Sequence, residues 1–87
     1  MVVTNYLFRP ILGDIVSAVA PGGVLIYETF ATGNEQYGRP KNPDFLLNDG
    51  ELIEVVSGKL SIGAYEHGFM EQPKPAVVQR IFATRAD

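Results

Sequence analysis

Eighty-seven residues make one domain, short enough to bury only roughly 60% to 70% of the surface that its unfolded chain exposes. A hydrophobic content of 46% sets it apart from disordered chains; the lack of cysteine excludes a disulfide scaffold, a thiolate zinc site and a cysteine nucleophile, and the lone His67 offers no metal cluster. A net charge of −3 with scattered Lys and Arg lacks the footprint of a nucleic-acid binder, and no apolar run approaches the about 20 residues of a membrane span, so no nucleic acid, no membrane and a cytoplasmic location by default are expected.

Met1-Val2-Val3-Thr4-Asn5-Tyr6 opens with β-branched residues and no lead-in, so the chain is expected to start inside a strand. Residues 7–20 switch to helical spacing: Ile11, Ile15 and Val19 fall four apart, Leu12 and Val16 sit beside them, and Asp14 and Ser17 lie on the other side. Pro10 suits the first turn, where its missing N–H is not needed, and Pro21-Gly22-Gly23 gives a stop, which predicts a helix over 10–20. Gly13 inside it costs about 1 kcal/mol against alanine.

The Pro-Gly-Gly turn releases Val24-Leu25-Ile26-Tyr27-Glu28-Thr29-Phe30, the central strand, whose opening run places apolar side chains on both faces and predicts burial on both. Glu28 and Thr29 then stand at the carboxyl edge of the sheet, where α/β proteins keep their sites. Strand, helix, strand reads as a right-handed βαβ unit with parallel strands. Residues 31–44, with Gly33, Asn34, Gly38, Pro40, Asn42 and Pro43 and no periodicity, predict a long unstructured loop that is functional or mobile.

After Phe45-Leu46-Leu47, the string Asn48-Asp49-Gly50-Glu51 has the form of a capping box, with Asn48 as cap and Glu51 reaching back. Leu52, Ile53, Val55 and Val56 form a short helix closed by Ser57-Gly58. Residues 60–70 alternate imperfectly and predict a strand with Gly63 and Gly68 as weak points or bulges, and Pro73-Lys74-Pro75 makes a turn. A last strand over 76–84 carries Val77, Ile81 and Ala83 on one face and Val78 and Phe82 on the other, completing an antiparallel hairpin.

This order resembles the C-terminal half of class I S-adenosylmethionine-dependent methyltransferases, and most nearly their tellurite-resistance-type branch. The motifs that carry the resemblance are Asn5-Tyr6-Leu7 with Arg9-Pro10, Ala20-Pro21-Gly22-Gly23, and Phe45-Leu46-Leu47 with Gly50-Glu51-Leu52; together they span nearly the whole chain. It implies an α/β fold over 1–87: a partial Rossmann-like sheet with strands in the order 4-5-7-6 by that family's count, two helices and a C-terminal hairpin. In that family a Gly-rich turn after the first strand and an acidic residue after the second hold the cofactor. Those strands have no counterpart here, and no two of the nine glycines stand two residues apart, so the core of a G-x-G turn cannot be written. S-adenosylmethionine thus enters through the resemblance alone. This chain by itself is expected to bind no cofactor and to be inactive, with an N-terminal half as an implied partner.

By the resemblance, Asn5, Tyr6 and Arg9 line the cleft beside the transferred methyl group and the substrate; the plainer alternative is that Tyr6 packs and Arg9 is solvated at a helix start. Glu28, with Thr29, is a base or substrate anchor, or else a structural ion pair with Arg9 or Arg39. Tyr37, Arg39 and Lys41 either close over an anionic or aromatic substrate or stay solvated. His67 reads as surface, and Tyr27, Phe30, Phe45, Phe69 and Phe82 read as core.

The alternative function is a stand-alone homodimeric binding or assembly module without catalysis. By the resemblance, the first strand would be left as an open edge and both helices would pack on one face of the sheet, leaving the other bare, two features that mark an interface. Edge pairing about a two-fold axis and face-to-face packing are the two geometries, which Val3→Pro is expected to separate.

Overall fold

The computed structural model describes residues 1–40, 42–71 and 74–86. Lys41, expected over the substrate, and Pro73, expected in the hairpin turn, lie outside the described residues. Four strands and two α-helices follow one another as β1 (Val2–Thr4), α1 (Leu12–Ser17), β2 (Val24–Phe30), α2 (Glu51–Val56), β3 (Ser61–Met70) and β4 (Ala76–Thr84). β1 lies parallel to β2, while β4 runs antiparallel between β2 and β3, giving the mixed order β1-β2-β4-β3.

A 3₁₀ turn over Arg9–Ile11, with Pro10 in its first positions, leads into α1, which is shorter than the predicted helix. Leu12 and Val16, one turn apart, are buried, and Asp14 and Ser17 are exposed. The last carbonyls of the helical segment need partners that the helix itself cannot supply. The Arg85 guanidinium donates to the Val16 carbonyl at 2.9 Å and also to that of Val19, placing a cation at the negative end of the helix.

Leu25, Tyr27 and Thr29 of β2 and Gln79, Ile81 and Ala83 of β4 point to one face of the sheet and are buried. Leu12 and Val16 of α1 and Leu52 and Val56 of α2 share one core with the apolar members of that set. Each such aliphatic side chain contributes about 1.5–3 kcal/mol by leaving water. The opposite face is bare: Val2, Ile26 and Phe82 are 66%, 41% and 40% exposed. The expected burial of the central strand on both sides is therefore corrected, because both helices pack on the same face. Phe45 and Phe69, expected in the core, are also exposed.

Glycine punctuation in the hairpin is half as expected. The β3–β4 register shifts between Ile62 and Ala64, and a Cβ on Gly63 would come within 2.6 Å of Phe82 Cδ1. Gly68 instead stays in register opposite Val78. Entry to α2 also differs from the predicted capping box. Glu51 does reach back, its Oε1 accepting the Asn48 N–H at 2.8 Å, but the helix is entered through Gly50 at φ +74°, without a side-chain cap there.

Candidate functional site

β1 is followed by Asn5, whose φ of +54° lies in the left-handed region that asparagine tolerates better than most residues. Its N–H donates to the Glu28 carbonyl at 2.9 Å, so the end of β1 is fastened to the end of β2. One residue on, the Tyr6 carbonyl accepts the hydroxyl proton of Tyr27. Burial pushes that phenol up to about 12. The carboxyl edge of the two parallel strands is thus held by a backbone bond and by a bond from a buried side chain.

The segment after β2 is structured, contrary to the expected unstructured loop. Ala31 bridges Leu47 in parallel fashion, and 3₁₀ turns form over Asn34–Gln36 and Pro43–Phe45. Asn34 is buried and its Oδ1 accepts the Val77 N–H at 3.0 Å, a backbone donor at the start of β4. This fastening folds the segment back over the sheet edge. Tyr37 stands there with its ring centroid 5.0 Å from that of Phe69.

Between that segment and the sheet lies a cavity of about 640 Å³, within the range of small-molecule sites. Asn5, Glu28, Tyr37 and Arg39, four of the residues singled out from sequence, line it together. Phe30, Met70, Val78, Pro75 and Ala76 add an apolar lining, and Lys74 a second cation. A neighbouring hollow of about 340 Å³ is lined by Asn5, Tyr6, Thr29, Phe30 and Phe45, so Tyr6 and Thr29 adjoin the cavity without lining it. The Phe30 position follows from strand alternation two residues after Glu28. Met70, Lys74 and Val78 carry no local signal, since only the pairing of β3 with β4 brings them here.

Glu28 pairs with neither expected partner. Arg80, directly across on β4, places Nε 2.8 Å from Glu28 Oε1, a charge contact off the line of a hydrogen bond, and Nη1 3.1 Å from Glu66 Oε1. Arg9 belongs to a different construction. Its Nε and Nη2 donate to the two oxygens of Glu51 at 2.7 and 2.8 Å, and Nη1 and Nη2 also reach the carbonyls of Asp44 and Leu46. This fork clamps the start of α1 to the start of α2 and lines neither hollow. The hydrogen bonds from Arg9 hold the Glu51 carboxyl below the usual range, against the opposing effect of burial.

His67, expected on the surface, is largely covered. Its Nδ1 lies 3.0 Å from Nε2 of the fully buried Gln79 and 3.6 Å from Asp49 Oδ1. Among the described residues, no group of three or more His, Cys, Asp or Glu side chains stands together to hold a metal ion, and no helix is long and apolar enough to cross a membrane.

The turn after β1, residues 5–8, contains no glycine, and the positive-φ glycines Gly22, Gly33, Gly50 and Gly58 all lie elsewhere. Gly33, the nearest to the edge, is packed on its own protein, since a Cβ there would meet Val77 Cγ2 at 3.4 Å. Compared with known proteins, the chain matches no family model and no curated protein.

Proposed function

We propose that the chain is the substrate-side half of a methyltransferase-like, Rossmann-related fold. It holds a small molecule at the carboxyl edge of β1 and β2 and transfers no methyl group by itself. The observation that carries this reading is the order β1-β2-β4-β3, with a reversed strand inserted beside two parallel strands whose carboxyl ends open on the cavity. The contribution expected of such a half is position and orientation, which dominate transfer to a good nucleophile. Asn5 and Tyr37 offer polar groups to the bound molecule, and the loop around Tyr37 and Arg39 covers it. Glu28, held by Arg80, is an anchor rather than a free base. Titration calorimetry of S-adenosylmethionine into the chain is expected to show no saturable heat, and a micromolar dissociation constant would overturn the reading.

A second reading, a homodimeric binding or assembly module, is favoured by the bare face. Val2, Ile26, Phe82 and Ala64 stand in register across all four strands as one apolar row, followed by the row Thr4, Glu28, Arg80 and Glu66. Such a stripe on an open sheet suits a partner surface.

A further inference from the structure

We propose that the ligand of the edge cavity is a small aromatic anion, bound with its ring on the apolar lining and its charged group toward Arg39 and Lys74. The inference rests on the reading of this edge as the substrate side, but not on methyl transfer. Among the described residues, Glu28 is the one acidic side chain that lines the cavity, and it is paired with Arg80, which it shares with Glu66 outside the cavity. Arg39 and Lys74 make no side-chain hydrogen bond or ion pair among the described residues. Both are exposed and both line the cavity, in a chain whose net charge is −3. A local excess of positive charge against that background selects an anion.

The lining fixes the rest of the chemistry. Phe30, Met70, Pro75 and Val78 present an apolar wall, and Tyr37, tilted 46° against Phe69, is a ring fixed by a neighbouring ring and exposed toward a ligand. Rings stack on such surfaces in offset or tilted arrangements, and a thioether beside them adds a polarisable contact. Asn34 is buried and engaged with the protein on both ends of its amide: its Oδ1 accepts the Val77 N–H at 3.0 Å and its Nδ2 donates to the Arg39 carbonyl at 3.4 Å. That bond also fixes the backbone from which the Arg39 guanidinium extends. Asn5 makes no side-chain hydrogen bond among the described residues, so its amide remains for a second polar group on the ligand.

The test is a titration of the isotope-labelled chain with naphthoate, naphthylmethanol and naphthylmethylamine, followed by amide chemical shifts. Naphthoate is expected to move the amides of Tyr37, Gly38, Met70, Ala76 and Val78, and to bind more tightly than the alcohol and the amine. Replacing both cations, Arg39→Gln with Lys74→Gln, should weaken naphthoate by about 2- to 20-fold, the range of two exposed charge pairs, and leave the alcohol unchanged. High salt should weaken naphthoate in the unmodified chain in the same direction, a readout that needs no variant. Equal or tighter binding of the amine or the alcohol, naphthoate shifts located elsewhere, or a charge-neutral variant with unchanged affinity would each overturn the proposal. Micromolar binding of S-adenosylmethionine overturns the half-fold reading and leaves this test as it stands; failure of naphthoate selectivity leaves the calorimetry as it stands.

Discussion

Gln79 shows how much one buried side chain can hold in a small core. Its Oε1 accepts the Leu52 N–H at 2.8 Å, one of the N-terminal donors of α2, and its Nε2 donates to the Asn48 carbonyl at 2.8 Å. Gln79→Ala removes both bonds and is expected to cost about 1–3 kcal/mol, read as a lower urea midpoint, because it strands the buried Leu52 N–H. Tyr27 and Glu51 contribute to the pH dependence of stability at opposite ends. The Tyr27 phenol is raised from 10.0 to about 12, so its stabilisation is complete below pH 10 and is lost as pH rises toward 12. That loss amounts to about 2–3 kcal/mol. Glu51 is lowered from 4.5, so its contribution is present above that pH and is lost as pH falls through the folded value. Unfolding midpoints across pH should fall at both ends, with Tyr27→Phe flattening the alkaline limb and Glu51→Gln the acid one.

At the scale of elements, the segment from 31 to 44 decides whether the edge is a site or an open border. Its ends are tied into the sheet: the Ala31 N–H donates to Val77, Thr32 to Leu47, and Leu47 to Phe30, all within 3.0 Å. Between them, Glu35, Gln36, Tyr37 and Arg39 are exposed. Hydrogen exchange is expected to be slowest at Ala31, Thr32 and Leu47, bonded between separate segments, and faster at the exposed residues 35–39, where the Gln36, Tyr37 and Gly38 N–H groups are held by the local turn. Asn34→Ala removes the acceptor of the Val77 N–H. A cost of about 1–2 kcal/mol should speed exchange at Val77 by roughly 5- to 30-fold. Unchanged exchange there would mean that the tie carries no weight.

For the whole molecule, the bare face and the open side of β1 make association the expected state. Light scattering behind a sizing column should report about twice the 9.5 kDa chain mass. A stable monomer at micromolar concentration would count against it. The ladder also corrects the substitution that separates the two geometries. The Met1 carbonyl accepts from Ile26 and the Asn5 N–H donates to Glu28, so by alternation Val3 bonds inward and the outward groups belong to Val2 and Thr4. Thr4→Pro, rather than Val3→Pro, is therefore expected to weaken an edge-paired dimer. Phe82→Asp, in the middle of the apolar row, should weaken a face-packed one.

Local periodicity was enough to locate both helices and the three longer strands, because the spacing of Leu12 with Val16, of Leu52 with Val56, and of Ile81 with Ala83 records which side of each element leaves water. The βαβ rule also placed Glu28 at the carboxyl edge, whereas Asn5 was singled out by the resemblance and Tyr37 and Arg39 by the loop that leaves that edge. What local periodicity could not decide is which face of the sheet the helices cover, a choice made by chain direction and packing rather than by any one segment. Nor could it name the partners. Arg80 reaches Glu28 only through the β2–β4 register, Arg9 reaches Glu51 across 42 residues, and Met70 and Lys74 join the cavity only when β3 and β4 close as a hairpin. Register and long-range ion pairs are set when separate elements pack against one another, and nothing in the neighbouring sequence of any of these residues encodes that contact.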